Sequence, residues 1–236
     1  MNEIASIFTE QGGLFCIPVE DFVKKLNHIK AFIFDWDGVF NDGIKNEHGS
    51  SSFSEVDAMG TNLLRFSSFI AKKKMPVSAV MSGEKNVFSF QYGKREHFHA
   101  VYYRVKNKRQ AFDHFIEEHD LKPHEIAFVF DDVLDLSLSE VCGIRILVNR
   151  QANPLFKKYV IDNRLADYIT AQPGGSGALR EGCELLIGLL GHYETIIKHR
   201  LRFSSDYSAY YNERQLIPTS FFTWKNNYIE KVEEPA

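Results

Sequence analysis

The sequence is poor in cysteine, carries little net charge and contains no long hydrophobic run. Its 236 residues include three cysteines, which are far apart and odd in number. Such cysteines fit neither a disulfide framework nor a metal-binding cluster, and they are typical of a reducing compartment. No apolar stretch is long enough to span a bilayer, and the first residues lack the basic and apolar pattern of a signal peptide. We therefore expect a cytoplasmic protein with no membrane partner.

Charge and histidine content exclude two further classes of protein. The net charge of −3 provides no polycationic surface, so nucleic acid is not an expected partner. Nine histidines are scattered along the chain, and His97 and His99 are the one close pair. A zinc site at this pair would require additional ligands nearby, which the sequence does not supply. The length suits one large domain or one domain with extensions.

The stretch around which the chain is organised is an apolar run, residues 31–34, followed directly by Asp35-x-Asp37-Gly38. A run of Ile and Phe without alternation predicts a strand buried on both faces of a parallel sheet. Residues i and i+2 of an extended chain point the same way, so Asp35 and Asp37 face one crevice. Ligands bind in that crevice in open α/β sheets. Taken alone, the motif is also compatible with an ordinary turn rich in Asp and Gly.

Apolar runs alternate with helical periodicities along the rest of the chain, which predicts an α/β fold with a doubly wound parallel sheet. We predict further strands at residues 76–81, 98–105, 126–130 and 144–148. We predict helices from Asp57 to the lysine run at 72–74, at 84–92 and 106–119, after Pro154, and from Ala178 to about Gly191. A turn signal at residues 47–50 predicts a β-hairpin over Ile44–Val56.

Three segments follow from this pattern: an N-terminal extension at residues 1–29, a main domain at 30–191 and a C-terminal extension at 192–236. The last segment is rich in aromatic residues, namely Tyr207, Tyr210, Tyr211, Phe221, Phe222 and Trp224. Aromatic side chains bury large areas. The segment therefore either packs against its own domain or contacts another subunit.

Polar groups also follow the other predicted strands. Ser82 follows one strand, Asp131 and Asp132 follow another, and Lys108 opens a helix. If these strands are parallel neighbours of the first, the groups meet at one edge of the sheet. Phosphoryl transfer requires an in-line nucleophile and neutralisation of the charge on the phosphoryl oxygens. A carboxylate can serve as the nucleophile, and Mg²⁺ prefers oxygen ligands.

The order and types of these residues resemble the four motifs of the haloacid dehalogenase superfamily of phosphatases. The matching residues are Asp35-x-Asp37-Gly38, Ser82, Lys108, and Asp131-Asp132 with Asp135. The resemblance implies a fold of the Rossmann-like type and hydrolysis of a phosphomonoester through an aspartyl-phosphate intermediate.

The resemblance also implies catalytic roles for individual residues. Asp35 corresponds to the nucleophile, and Asp37 to the general acid and base that protonates the leaving oxygen. Ser82, Gly83 and Lys108 correspond to the groups that bind the transferring phosphoryl.

A magnesium site is implied in the same way. Asp35, the Asp37 carbonyl and Asp131 correspond to the ligands of Mg²⁺. Asp132 and Asp135 correspond to supporting acids, with Asp132 orienting Lys108 or the metal shell. The alternative for Asp132 is a plain solvated carboxylate.

The gaps between the motifs are too short for a separate cap domain, and the chain resembles the capless 3-deoxy-D-manno-octulosonate 8-phosphate phosphatases. The similarity includes the string Gly174-Gly175-Ser176-Gly177-Ala178-x-Arg180-Glu181, from which Arg180 is assigned to substrate binding. On its own, the string is also compatible with a glycine turn that caps a helix. By resemblance, the protein acts in lipopolysaccharide biosynthesis as a homo-oligomer, most simply a homotetramer.

Two departures leave the exact substrate open. Glu84 stands where the subfamily usually has an arginine facing the substrate, and Phe130 replaces a glycine before the paired aspartates. The alternatives are a phosphatase for an acylneuraminate or nonulosonate 9-phosphate or another sugar phosphate, and a non-catalytic relative acting in assembly. A response-regulator receiver domain is less compatible, because there the lysine follows the aspartates, whereas Lys108 precedes Asp131.

Overall fold

A mixed β-sheet organises residues 2–233, which are the residues that this computed structural model describes. Met1 and residues 234–236 of the two predicted extensions lie outside the described residues. The strands are β1 (Leu14–Phe15), β2 (Ala31–Phe34), β3 (Val77–Met81), β4 (Ala100–Tyr103), β5 (Ile126–Phe130), β6 (Ile144–Asn149), β7 (Tyr168–Pro173), β8 (Ser220–Lys225) and β9 (Tyr228–Val232).

The order across the sheet is β1-β7-β6-β5-β2-β3-β4-β8-β9. The strands from β7 to β8 are parallel, and β1 and β9 run antiparallel at the two edges. The predicted parallel α/β sheet is confirmed. β2, β3 and β5 are adjacent, so their carboxyl ends meet at one edge, as the motif argument requires.

Helices cover both faces of the sheet. They are α1 (Asn2–Glu10), α2 (Val19–His28), α3 (Glu55–Lys72), α4 (Val87–Arg95), α5 (Lys108–Glu118), α6 (Leu136–Ser139), α7 (Pro154–Asp162), α8 (Ala178–Leu189), α9 (Tyr193–Leu201) and α10 (Ser205–Gln215). Short 3-10 turns occur at Pro123–Glu125 and Val133–Asp135. Across residues 2–233, no helix is both long enough and apolar enough to cross a membrane.

Two hydrophobic cores result from burial of both sheet faces, and β2 shows why. Its residues are all buried, and successive side chains of a strand point to opposite faces. Phe32 and Phe34 accordingly belong to the core formed with α3 and α8. Ala31 and Ile33 belong to the core on the other face, formed with α5 and α7.

Element boundaries differ from the predictions where side chains cap the helices. α3 begins at Glu55, because the Ser54 hydroxyl accepts a hydrogen bond from the backbone N–H of Val56 at 3.1 Å. α4 begins only at Val87, because the Asn86 side chain accepts from the backbone N–H of Phe88 at 3.0 Å. The helix then continues through Gly93 to Arg95 instead of ending at that glycine.

Residues 44–56 do not form the predicted β-hairpin, and the described chain has no strand between β2 and β3. The Asn46 side chain accepts hydrogen bonds from the backbone N–H groups of His48 and Ser50, both at 3.0 Å. Trp36 donates its indole N–H to the carbonyl of Ser51 at 3.2 Å. Because side chains satisfy these backbone groups, residues 44–54 form a loop fixed to the domain and not a pair of hydrogen-bonded strands, and α3 begins directly after them.

The C-terminal segment contributes strands and helices that pack on its own chain. β8 lies parallel to β4, and β9 pairs with β8 to close that edge of the sheet. Tyr210 of α10 is fully buried and donates its hydroxyl to the carbonyl of Asn62 in α3 at 3.2 Å. Of the two alternatives for this segment, packing against its own domain is the one present in the described residues.

Candidate active site

A cavity of about 480 Å³ opens at the carboxyl ends of the parallel strands. It is lined mainly by polar residues, together with Leu134 and two glycines, from the loops that follow β2, β3, β5 and β6 and by the first residue of α5. These are Asp35, Asp37, Asp42, Gly43, Ser82, Gly83, Glu84, Lys108, Asp131, Asp132, Leu134, Asp135, Arg150 and Asn153. All the predicted site residues except Arg180 are therefore brought together.

A buried lysine joins two of the acids in this cavity. Lys108 donates from Nζ to Asp35 Oδ1 at 2.6 Å and to Asp135 Oδ1 at 2.5 Å. The Asn107 side chain caps α5 by accepting from the N–H of Arg109 at 3.1 Å, which fixes Lys108 at the start of the helix. Burial alone would lower the pKa of Lys108, but Asp135 and Asp35 raise it above its ordinary value. Lys108 is therefore an ammonium at neutral pH.

Three acids form a compact oxygen cluster next to this lysine. Asp35, Asp131 and Asp135 are all buried, and each offers a carboxylate oxygen within 4.8 Å of the others. Burial, followed by the charge of Asp135, raises the pKa of Asp35 well above its ordinary value. The same two causes raise the pKa of Asp131 to about 6. The cluster has a surplus of negative charge, which a cation at this point would neutralise.

Asp37 is held away from that cluster by two residues of the loop after β2. Lys45 Nζ lies 2.5 Å from Asp37 Oδ2, and the Ser51 hydroxyl donates to Asp37 Oδ1. Asn86 Nδ2 in turn donates to Ser51 Oγ at 3.1 Å. The Asp37 carboxylate therefore lines the cavity but is not one of the three clustered acids. The predicted metal ligand at this position is its carbonyl, which remains a prediction.

Two glycine positions explain the close approach of the loops around the cavity. Gly38 has φ of +88°, and a Cβ there would lie 1.8 Å from Asp131 Oδ2. A Cβ on Gly174 would lie 1.9 Å from the carbonyl oxygen of Gly38. The glycine string after β7 therefore packs directly against the loop that carries Asp37. It also ends at Gly177, which precedes the first turn of α8.

The two supporting acids have different surroundings. Asp135 is buried and binds Lys108, so it has the orienting role that the resemblance assigned to Asp132. Asp132 is exposed, and its carboxylate caps the following 3-10 turn by accepting from the N–H of Val133 at 2.7 Å. Lys108 is therefore oriented by Asp135 and not by Asp132, because Asp135 is the buried acid of this turn. The other role assigned to Asp132, at the metal shell, stays a prediction.

Arg180 does not reach the cavity within this chain. It lies in the first turn of α8, and its guanidinium contacts Glu184 at 2.6 Å. Its backbone N–H donates to Asp57 Oδ1 at 2.8 Å, so Asp57 of α3 caps α8. A Cβ on Gly60 would lie 3.1 Å from Arg180 Cα, which shows how closely the two helices pack. Within this chain Arg180 therefore joins α3 and α8 and is not part of the cavity lining, so its assignment to substrate binding stays a prediction.

Sequence reasoning missed three residues that act at the cavity: Lys45, Ser51 and Arg150. Arg150 follows β6 directly, so the rule that identified Asp35, Ser82 and Asp131 at strand ends would also have identified it. Lys45 and Ser51 have no such signal, because their positions depend on the path of an irregular loop.

Known proteins similar to this chain were found by sequence and by structure. No family model matches the chain. The 3-deoxy-D-manno-octulosonate 8-phosphate phosphatase of Escherichia coli strain K12 is 29% identical over 171 residues, covering 71% of this chain and 84% of that protein. A Legionella pneumophila hydrolase of the HAD superfamily, subfamily III A, superposes with a TM-score of 0.65 at 28% identity, covering 78% of this chain and 95% of the other.

A third relative was solved with ligands. It is the 3-deoxy-D-manno-octulosonate 8-phosphate phosphatase of Moraxella catarrhalis, in complex with a magnesium ion, a phosphate ion and a KDO molecule. It superposes with a TM-score of 0.62 at 24% identity, covering 76% of this chain and 97% of the other. At this identity the likeness supports the fold.

Proposed function

We propose that this chain, which belongs to the capless branch of the haloacid dehalogenase superfamily, is a Mg²⁺-dependent phosphomonoesterase acting on a sugar-acid phosphate. The observation that carries the proposal is the buried Lys108 bonded to Asp35 and Asp135. It supports the proposal because a fixed ammonium lies beside the carboxylate of Asp35, the proposed nucleophile, at the end of β2. The same arrangement disfavours the alternative that this chain is a non-catalytic relative acting in assembly, because burying unneutralised acids without a function is costly.

The acidic cluster fits Mg²⁺ on chemical grounds. Its donors are oxygens only, and three carboxylates within 4.8 Å of one another concentrate negative charge that a divalent cation would neutralise. Asp35, Asp131 and Asp135 would hold the ion, with the Asp37 carbonyl as a further ligand. When bound, Mg²⁺ neutralises charge on the phosphoryl oxygens.

The reaction follows from the residues that surround the phosphoryl group. A carboxylate oxygen of Asp35 attacks phosphorus and the ester P–O bond breaks, while the leaving oxygen takes a proton from Asp37. Lys108 and the Ser82 hydroxyl hold the remaining phosphoryl oxygens during this transfer.

Water then completes the cycle. Asp37 takes a proton from a water molecule, whose oxygen attacks the phosphorus of the aspartyl-phosphate. The P–O bond to Asp35 breaks and inorganic phosphate leaves. Lys45 and Ser51, which bind Asp37 in this structure, would hold its carboxylate in place for both proton transfers.

The substrate we propose is 3-deoxy-D-manno-octulosonate 8-phosphate or a closely similar sugar acid phosphate. The support is the likeness to the Escherichia coli phosphatase of that name over most of both chains. An acylneuraminate or nonulosonate 9-phosphate is the alternative, because Glu84 lines the cavity and Phe130 directly precedes Asp131.

We also propose a cytoplasmic homo-oligomer, most simply a tetramer. An open cavity without a cap exposes the phosphoryl group to water, and a neighbouring subunit over it would limit this exposure. Light scattering on the active enzyme should give a mass of several chains. A fully active monomer would contradict the proposal.

The experiment that tests the function combines a variant with metal removal. Asp35→Asn should lose nearly all turnover, by about 10³-fold or more, since an amide cannot attack phosphorus. EDTA should abolish wild-type activity, and added Mg²⁺ should restore it. Full activity in excess EDTA would remove the metal from the proposal, and full activity of Asp35→Asn would remove the nucleophile.

A further inference from the structure

The cavity has an uneven distribution of charge. Seven of its lining residues are carboxylates, and two of the lining residues described here carry positive charge, Lys108 and Arg150. Lys108 is 3% exposed and already donates to two acids. Arg150 is the more accessible cation, with 35% of its side chain exposed. A substrate with a second anionic group besides its phosphate therefore meets one accessible cation among these lining residues.

Arg150 is held in place but retains free donors. Its Nη2 donates to Asp131 Oδ2 at 2.9 Å, and its Nη1 donates to the carbonyl of Asp42 at 3.2 Å. A guanidinium has five N–H donors in a rigid fork, so the remaining donors are available to a ligand. Two anchoring contacts reduce the entropy lost when such a group binds a carboxylate.

The position of Arg150 relative to the phosphoryl site suits the other end of a substrate. It contacts Asp131, which lies within 4.8 Å of Asp35. The carboxylate of Asp131 thus links the Arg150 guanidinium to the acid cluster that contains the nucleophile, and Arg150 lies on the β6 side of the cavity. Ser82 and Lys108, the proposed phosphoryl-binding residues, follow β3 and β4 on the opposite side of the cavity, so Arg150 is not required for that contact.

Opposite walls of the cavity carry Glu84 and Arg150, two accessible side chains of opposite charge. Glu84 follows β3 and is exposed, whereas Arg150 follows β6, with β5 and β2 between the two strands. Glu84 repels a carboxylate on the substrate, whereas Arg150 attracts it. Asn153, a neutral hydrogen-bonding side chain, lines the cavity together with Arg150.

We infer that Arg150 recognises the carboxylate of the sugar acid and thereby supplies the substrate contact that Glu84 cannot make. This inference rests on the proposed function, since it requires a substrate that carries both a phosphate and a carboxylate. Arg150 thereby determines specificity, because it favours substrates with a carboxylate over neutral sugar phosphates.

The test compares two substrates that differ in the carboxylate. 3-Deoxy-D-manno-octulosonate 8-phosphate carries it, and D-arabinose 5-phosphate has a similar phosphorylated end without it. For Arg150→Gln, the ratio of KM for the acid to KM for the neutral sugar should rise about tenfold, as expected for one lost hydrogen bond between charged groups. Arg150→Lys should recover part of this loss, and Glu84→Gln should lower the ratio.

Arg202→Gln is the matched control, because Arg202 is an exposed arginine outside the cavity lining. It should leave the KM ratio unchanged. Calorimetric titration of Mg²⁺ into the wild type and into Arg150→Gln distinguishes two roles of Arg150. One is binding of the substrate carboxylate, and the other is holding Asp131 in position for the metal. A structural role alone would change Mg²⁺ affinity and both KM values by the same factor, and this result would overturn the inference.

The outcomes also separate this inference from the proposed function. If the wild type hydrolyses D-arabinose 5-phosphate with Mg²⁺ and Arg150→Gln affects both substrates alike, the phosphatase stands and the recognition role is wrong. If the wild type hydrolyses neither phosphate, the proposed function fails, and the role of Arg150 fails with it.

Discussion

Two clusters of buried charge in this molecule have opposite character. The site cluster consists of Lys108 with Asp35, Asp131 and Asp135, and it opens into the cavity. The second, which we call the tail cluster, consists of Arg65, Glu96 and Arg214. One has a surplus of acid and the other a surplus of base.

The protein itself satisfies part of the hydrogen bonding of the tail cluster, although the Nε atoms of Arg65 and Arg214 have no partner among the described residues. Arg65 donates to the carbonyls of Glu96 and His97, and it lies 5.0 Å from the ring centre of Phe98. Arg214 of α10 donates to Glu96 Oε2 at 3.0 Å, which fixes the C-terminal segment to the domain. The site cluster differs in that its surplus charge is negative and faces a cavity.

Removing one acid from the site cluster should have the largest effect. Asp135→Asn deletes a charge that binds Lys108 and belongs to the oxygen cluster, so kcat/KM should fall roughly 10³-fold. Thermal unfolding of the metal-free variant should show no loss of stability, because the change relieves repulsion between buried acids. Asp132→Asn is the control: it is exposed, Asn caps helices equally well, and activity should stay within about threefold. Equal losses in both variants would mean that the two acids do not differ as described.

Removing the acid of the tail cluster should have the opposite pattern. Glu96→Ala leaves Arg214 buried without its partner, and this should lower the free energy of unfolding by about 3 kcal/mol. The specific activity of the folded protein should change little, because none of the three residues lines the cavity. Urea unfolding and kinetics on the same samples would measure both. Glu55→Ala, which removes an exposed partner of Arg95, should cost less than about 1 kcal/mol.

A smaller effect, on the pH dependence of stability, should come from Asp57, which belongs to neither cluster and joins α3 to α8. Burial raises the pKa of Asp57 to about 6, although the N–H of Arg180 partly offsets this. In the unfolded chain the pKa has its lower ordinary value, so near pH 6 only the folded state takes up a proton there. The free energy of unfolding should therefore rise as the pH falls through 6.

The size of this effect can be measured against a variant without the titrating group. From about pH 7.5 to about pH 5.5, the wild type should gain about 1 kcal/mol in stability relative to Asp57→Asn. The comparison cancels the titration of other groups, including the acids of the site cluster. A constant difference across this range would show that Asp57 does not titrate as its burial indicates.

The difference between the clusters also explains which parts of the site could be predicted from sequence. Asp35, Ser82, Asp131 and Lys108 were found because each stands at a strand end or helix start in a regular α/β alternation. Arg65, Glu96 and Arg214 lie within or beside helices, where charged residues are usually exposed. Their burial depends on how the C-terminal segment packs, and no local pattern reports that packing.

The sequence by itself determined the parallel sheet, the order of the motifs and the residues at the carboxyl ends of three strands. It could do so because burial on both faces of a strand and turns at strand ends are local properties with a clear pattern. The tertiary structure alone decided that Asp135 and not Asp132 binds Lys108, and that Arg180 lies outside the cavity. It also decided that residues 44–54 form a loop instead of a β-hairpin and that Arg150 faces the site. These outcomes depend on contacts between segments distant in the chain, where one side chain satisfies a backbone or charged group that local preference leaves open.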